Sequence, residues 1–169
     1  MKQNGFSLIE LLIVVVVIAI IAAIAIPNLL AARKSANEGS AISSLRTIHG
    51  ANATYNSTFG TGDFAPDVAE LGNAYLIDAA LATEIKSGYD FQDYERTLRD
   101  VANGIPATYA LVARPAIISG LTATATRNFG ISTDGVIAAE PLDGTSVGTM
   151  DAVQANPCTF GTGYTPVGN

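Results

Sequence analysis

Tryptophan is absent from the 169 residues, and histidine and cysteine occur once each, as His49 and Cys158. A single cysteine excludes an intramolecular disulfide and a cysteine-rich metal site. His49 lies beside the apolar stripe of a helical segment, so neither a catalytic triad nor a multi-histidine metal site is assembled around it. Basic residues are scarce: nine Lys and Arg stand against fifteen Asp and Glu, for a formal net charge of −6. No basic stripe is available to neutralise phosphates, which argues against direct nucleic-acid binding by one subunit. A phosphate loop, a serine nucleophile elbow and an HExxH pair are all missing. The expectation is a protein without catalytic activity and without a cofactor.

What the chain does have is one long apolar run. Leu11 to Ile26 are sixteen consecutive apolar residues. A helix from Phe6 to Leu30 is roughly 37 Å long at about 1.5 Å per residue, enough to cross a hydrocarbon core of about 30 Å. Lys2 and the amino terminus make the start basic, which favours a cytoplasmic N-terminus and an outward C-terminal part. Ala23-Ile24-Ala25 also fits a small-residue cleavage site, so a secretory signal peptide is the bland alternative. Glu10 argues against it. A carboxylate in this setting costs about 2.5 to 3.5 kcal/mol at a bilayer centre, and such groups normally have a partner. Were the chain cut after Gly5, the new amine on Phe6 of a neighbouring copy could pair with Glu10 and fix the stagger of two otherwise featureless helices.

Lys2, Gly5-Phe6-Ser7-Leu8-Ile9-Glu10 and the apolar run that follows resemble the class III signal of type IV pilins and of the pseudopilins of type II secretion. The resemblance covers the first thirty residues strongly and the globular part only in general plan. It implies cleavage between Gly5 and Phe6 by a prepilin peptidase, N-methylation of Phe6, and a requirement for Glu10 in assembly. Pro27 matches a proline of this family at which the helix loosens on assembly. The implied partners are further copies of the chain in a helical homopolymer, the prepilin peptidase, the pilus assembly machinery of the inner membrane, and the membrane itself before assembly. The lone Cys158 departs from the best-known pilins, whose C-terminal loop is closed by a disulfide. For a bound cation in its place, as in some pseudopilins, Asp143 and Asp151 are weak candidate ligands without EF-hand spacing.

Beyond Pro27, which should bend the helix or cost it hydrogen bonds, Ile42, Leu45, Ile48, Asn52, Tyr55 and Phe59 recur at helical spacing, while Arg33, Lys34, Glu38, Ser40, Ser44 and Arg46 fall mostly off that stripe. Gly60 and Gly62 end the helix. Asp67 and Glu70 have capping-box character for a short helix that Gly72 can stop, and Asp78 can cap a second running from Ala79 to Lys86 with Gly88 as its stop. The segment around Tyr94 mixes strand and helix signals and stays ambiguous. Thr108 to Ala113, Leu121 to Phe129 and Gly130 to Ala139 read as strands, with a hairpin signal at Asp134-Gly135. Asn52-Ala53-Thr54 and Asn56-Ser57-Thr58 match a glycosylation triplet weakly.

The expected class is α+β: a long N-terminal helix, half apolar and half amphipathic, packed on a C-terminal antiparallel sheet. The divisions are a leader at 1–5, a transmembrane or filament-core half at 6–30, an amphipathic half at 31–58, a connecting region with short helices at 59–106, the sheet at 107–140 and an irregular tail at 141–169. Full size favours a major pilin over a minor pilin or a pseudopilin. A membrane-anchored or secreted binding domain is the reading from a different class.

Overall fold

The computed structural model describes residues 6–142, 153–155, 158–160 and 165–167. The chain divides into two units, Met1–Arg33 and Lys34–Asn169. Helix α1, Leu8–Thr58, contributes to both. In the first unit its large apolar side chains, from Leu8 through Ile26 to Leu29, are exposed. This is the one described helix long and apolar enough to cross a membrane. Pro27 lies inside the helix, which continues past it; because proline has no N–H, the Ala23 carbonyl forgoes its usual donor there.

The second unit is the α+β body. Short helices α2 (Val68–Asn73) and α3 (Ala79–Ala82) precede β1 (Ile85–Lys86), β2 (Tyr89–Thr97), β3 (Thr108–Pro115), β4 (Arg127–Ser132), β5 (Ile137–Pro141), β6 (Val153–Ala155), β7 (Cys158–Phe160) and β8 (Thr165–Pro166). Six of these form one antiparallel sheet in the order β1-β2-β3-β4-β5-β8, and β6 pairs with β7. Ala41, Leu45, Ile48 and Ala51 of α1 are buried in one cluster with Tyr89, Phe91, Leu111, Phe129 and Ile131 of the sheet. Each large apolar side chain taken from water there contributes about 1.5 to 3 kcal/mol. Ala110, Val112, Asn128 and Ala138, on the other face of the pleat, are buried as well. β7 lies near β3 and β4, and β6 near β2.

The sheet is therefore wider than residues 107–140. It takes β1 and β2 from the connecting region and β8 from the tail, where the Val167 amide donates to the Ile137 carbonyl at 2.8 Å. The ambiguous stretch is strand β2, and a bulge explains its mixed signal. Asp90 pairs with Arg114 and Asp93 with Val112, so β2 advances three residues while β3 advances two. The extra residue shifts the inward parity from Tyr89 and Phe91 to Tyr94, a spacing that imitates a helix.

Several local stops differ from expectation. Helix α2 runs through Gly72 to Asn73, and the left-handed residue beyond it is Tyr75, at φ 57°. Gly72 serves close packing instead: a Cβ there would fall 2.3 Å from that of Ala82. Helix α3 ends at Ala82, because Lys86 pairs with Tyr89 across Ser87 and Gly88 in a β1–β2 hairpin. Both turn residues have positive φ, 51° and 74°, the requirement of a type I′ turn. Asp67 and Asp78 do cap their helices, accepting at 2.7 Å from the amides of Glu70 and Leu81.

Two polar side chains read as lying off the buried stripe, Glu38 and Ser44, are buried. Glu38 Oε1 accepts from the Thr126 amide at 2.9 Å and from its hydroxyl at 2.6 Å, while Oε2 accepts from Arg127 Nε at 3.1 Å and Nη2 at 2.7 Å. Asn37 Nδ2 donates to the Thr124 carbonyl at 2.8 Å. The expected strand from Leu121 begins only at Arg127: the Thr124 carbonyl and the Thr126 amide and hydroxyl are bonded to helix side chains, while the Thr124 amide donates to the Ile117 carbonyl and the Thr126 carbonyl accepts from the Leu142 amide. The expected strand from Gly130 to Ala139 is likewise split by the Asp134-Gly135 turn into β4 and β5. Asp134 Oδ1 holds that turn by accepting from Ser132 Oγ at 2.7 Å and the Val136 amide at 3.0 Å.

Burial by itself raises the Glu38 pKa, but the hydrogen bonds from Thr126 and Arg127 outweigh it and hold the carboxyl below the ordinary value of 4.5. A depressed folded value means the unfolded chain takes up the proton first. The stabilisation is full at neutral pH, begins to fall as pH drops through about 4.5, and is gone once the folded carboxyl is itself protonated. Arg127, with 42% of its side chain exposed, keeps water as an alternative partner, which moderates the cost of losing Glu38. Glu38→Gln is expected to destabilise the detergent-solubilised chain by about 1 to 3 kcal/mol at pH 7. It should also flatten the decline in melting temperature below pH 4.5; an unchanged acid slope would show that Glu38 is not the group responsible.

Candidate functional site: the N-terminal assembly segment

The segment begins with Phe6, whose side chain is 85% exposed. Gly5 lies outside the described residues, so the cleavage junction itself has no described geometry. Helix α1 starts at Leu8, which places Ser7 at the N-cap and Glu10 three positions on. The Ser7 amide donates to Glu10 Oε2 at 3.0 Å. This is the reciprocal arm of a capping box, in which a third-position glutamate satisfies the cap residue's own N–H. A negative charge here also meets the positive end of the helix dipole.

Glu10 therefore has a partner inside a single chain before any neighbour is considered. The capping role of Ser7 was not expected from the sequence, although the Ser-x-x-Glu spacing at 7–10 is itself the signal. C-terminal to Glu10, α1 has no further charge before Arg33. Among the exposed side chains of this stretch, Glu10 is the single charged group, and Asn28 is the other polar one.

The other singled-out residues are placed elsewhere. Pro27 lies within α1, seventeen positions beyond Glu10. Asp143 and Asp151 lie outside the described residues, and among those described no three His, Cys, Asp or Glu side chains gather as a metal site. His49 Nδ1 is 2.6 Å from the Tyr109 hydroxyl, a contact that ties helix to sheet. Asn52 is fully buried, and its Oδ1 accepts from the Tyr94 hydroxyl at 3.1 Å and the Ala65 amide at 3.3 Å. Glycosylation at Asn52 is incompatible with that packing. Tyr55 and Phe59, at the far end of α1, have ring centroids 5.8 Å apart. Cys158 lies in β7.

An exposed apolar helix with a charge in its first turn, followed by a helix-on-sheet body, has the α+β plan of the type IV pilin fold. Residues 1–26 match the model described as the prokaryotic N-terminal methylation motif. The chain is 74% identical to the type IV wide pilus major component PilA4 of Thermus thermophilus over 37 residues, which are 22% of this chain and 28% of that protein. The match spans little more than a quarter of that relative's length. No solved structure matches the chain. Motif and match together support a type IV pilin.

Removal of the capping carboxylate has a local readout. Glu10→Ala is expected to speed hydrogen exchange at the Ser7 amide in micelles by an amount corresponding to roughly 0.5 to 2 kcal/mol. Glu10→Gln, which still offers an oxygen, should preserve most of the protection.

Proposed function

We propose that the chain is a major structural subunit of a type IV pilus, made as a prepilin, cut between Gly5 and Phe6, methylated on the Phe6 amine, and polymerised through its apolar helix. The observation that carries this reading is the N-terminal methylation motif over residues 1–26, which takes in the start of an exposed apolar helix that a filament core would bury. Before assembly that helix sits in the inner membrane with a cytoplasmic N-terminus and the sheet domain outside. Afterwards the subunit lies in an extracellular fibre.

Transfer from lipid to fibre is feasible because neighbouring apolar helices replace the lipid contacts. Glu10 exchanges its intrachain bond with the Ser7 amide for the methylated Phe6 amine of a neighbour. An ion pair formed away from water holds that position far better than any of the interchangeable Val and Ile side chains around it. Pro27, with an unfilled carbonyl beneath it, is where α1 yields during packing. The prepilin peptidase and the inner-membrane assembly machinery act on the subunit, and its role in adhesion or motility is exercised by the assembled fibre. The role is structural rather than catalytic.

Mass spectrometry of sheared surface fibres should find this chain as an abundant component beginning at methylated Phe6. Its absence from fibres, together with loss of protein secretion on deletion, would move it to the pseudopilins. Cleavage after Ala25 would instead favour an anchored or secreted binding domain. Glu10→Gln separates charge from capping: fibre yield is expected to collapse although the helix start stays protected, and wild-type yield would remove the ion pair from the account.

A further inference from the structure

Among the described residues the chain has one Asn-Gly pair, Asn103-Gly104, and one Asp-Gly pair, Asp134-Gly135. Both sit in turns between strands, and both glycines have positive φ, 69° and 76°. A glycine after an Asx residue leaves its backbone nitrogen unshielded by any Cβ, so that nitrogen can swing onto the neighbouring side-chain carbonyl carbon. The two pairs are held very differently. The Gly135 amide donates to the Ser132 carbonyl at 2.9 Å, Asp134 Oδ1 accepts from Ser132 Oγ and the Val136 amide, and a Cβ at Gly135 would lie 3.0 Å from His49 Nε2. That pair is locked in place.

Asn103-Gly104 is open. It lies at the tip of the β2–β3 hairpin with both residues exposed. A Cβ at Gly104 would meet nothing within 4 Å, and the Gly104 amide donates to no described acceptor. Among the described hydrogen bonds the restraint on Asn103 comes from Asp100. Its Oδ1 accepts from the Ala102 amide at 3.0 Å and the Asn103 amide at 3.2 Å, and its Oδ2 accepts from Asn103 Nδ2 at 2.6 Å. The bonds from Asn103 hold the Asp100 carboxyl below its ordinary value of 3.8, so this acceptor is ionised at neutral and alkaline pH. Below the tip, Asp100 and Ile105 exchange two backbone hydrogen bonds of 2.9 Å.

We propose that Asn103-Gly104 is a self-modifying site, at which the chain deamidates spontaneously, and that Asp100 sets its rate. The Gly104 nitrogen attacks Asn103 Cγ, the Cγ–Nδ2 bond breaks, and Nδ2 leaves as ammonia with the proton given up by the Gly104 amide. Water then opens the cyclic imide at one of its two carbonyls, giving aspartate or isoaspartate. Ammonia leaves and water enters, so no enzyme, oxidant or reductant is required. Ring closure needs Asn103 Cγ to turn toward the Gly104 nitrogen, which the Nδ2 bond to Asp100 opposes. The step therefore runs through the fraction of copies in which that exposed bond is open.

The product reverses the chemistry at the tip. An asparagine side chain both donates and accepts, whereas a carboxylate only accepts. The new carboxylate stands where the Nδ2 donor stood and faces the like charge of Asp100. The tip loosens around Ala102 and residue 103, the backbone pair of Asp100 with Ile105 confines the change there, and each copy gains one negative charge. The site goes beyond the pilus-subunit reading and depends on no part of it.

The test ages the full-length, detergent-solubilised chain in mildly alkaline buffer made with heavy-oxygen water and follows each peptide by mass spectrometry, which separates this site from the other Asn-Gly pair, Asn4-Gly5. Conversion is expected at Asn103, with a heavy oxygen incorporated and isoaspartate as the main product, while Asp134 stays unisomerised. Asp100→Ala should speed the conversion several-fold with the melting curve in place, and Asn103→Gln should abolish the charge gain. Asn103→Asp, which installs the product directly, should speed hydrogen exchange at the Ala102 amide. If Asn103 stays intact in the folded chain after the same chain in denaturant has converted, the site is overturned. Equal rates in the unaltered chain and Asp100→Ala would overturn the part given to Asp100. The readout is a mass at one residue, so it stands whether or not the chain enters a fibre.

Discussion

The Glu38 carboxylate is the fastening on which the sheet domain depends. A buried charge is tolerated only when its oxygens are filled, and here a hydroxyl, an amide and two guanidinium nitrogens fill them. The donors come from Thr126 and Arg127, at the point where a loop becomes strand β4. Apolar packing of Leu45 and Ile48 is non-directional and would accept a helix slid along its axis. Glu38 accepts only one position, because sliding would leave a buried carboxylate empty. Arg127 adds a second anchor, since its guanidinium carbon lies 5.2 Å from the centre of the Phe129 ring.

The same logic repeats along α1 with neutral groups. His49 meets the Tyr109 hydroxyl, and Asn52 accepts from Tyr94 and from the amide of Ala65, just past the helix end. Helix and sheet are thus joined at three levels by polar contacts set into an apolar seam. At the far end, Arg99 binds the Thr61 carbonyl and the Asp63 carboxylate accepts from the Arg99 amide, which draws the glycine-containing turn after α1 onto the sheet. In the C-terminal segment, with a single cysteine in the chain, backbone pairing of β8 with β5 does what a covalent bridge could otherwise do.

The two units solve different problems with one helix. Up to Arg33 the side chains of α1 are mostly apolar and exposed, and under the proposed pilus function this is the surface that lipid or other copies would cover. From Lys34 onward the same helix satisfies its apolar face within its own domain. The change of composition near residue 33 is where one mode of burial gives way to the other. Glu10 sits in the first mode and Glu38 in the second, and both are carboxylates made affordable by local donors.

Local features are decided by neighbours in the chain, and these the sequence determined by itself. The apolar run, the break after Thr58, the aspartate caps at Asp67 and Asp78, the turn at Asp134-Gly135 and the α+β class all follow from composition and spacing over a few residues. The candidate assembly role of Glu10 comes from the same local reading, a lone carboxylate in an apolar run, whereas the processing roles of Gly5 and Phe6 come from the motif's resemblance to the prepilin signal. What only the tertiary structure decided depends on residues distant in sequence. Glu38 is polar by type and buried by virtue of Arg127, eighty-nine positions away. Strand β2 disguises its period because a bulge against β3 shifts its parity. Gly72 is small for the sake of Ala82, and Tyr75 therefore inherits the left-handed turn that a glycine was expected to mark. Burial of a polar group, a shift of register and a steric gap are each set by what lies across the interface, and local periodicity carries no record of it.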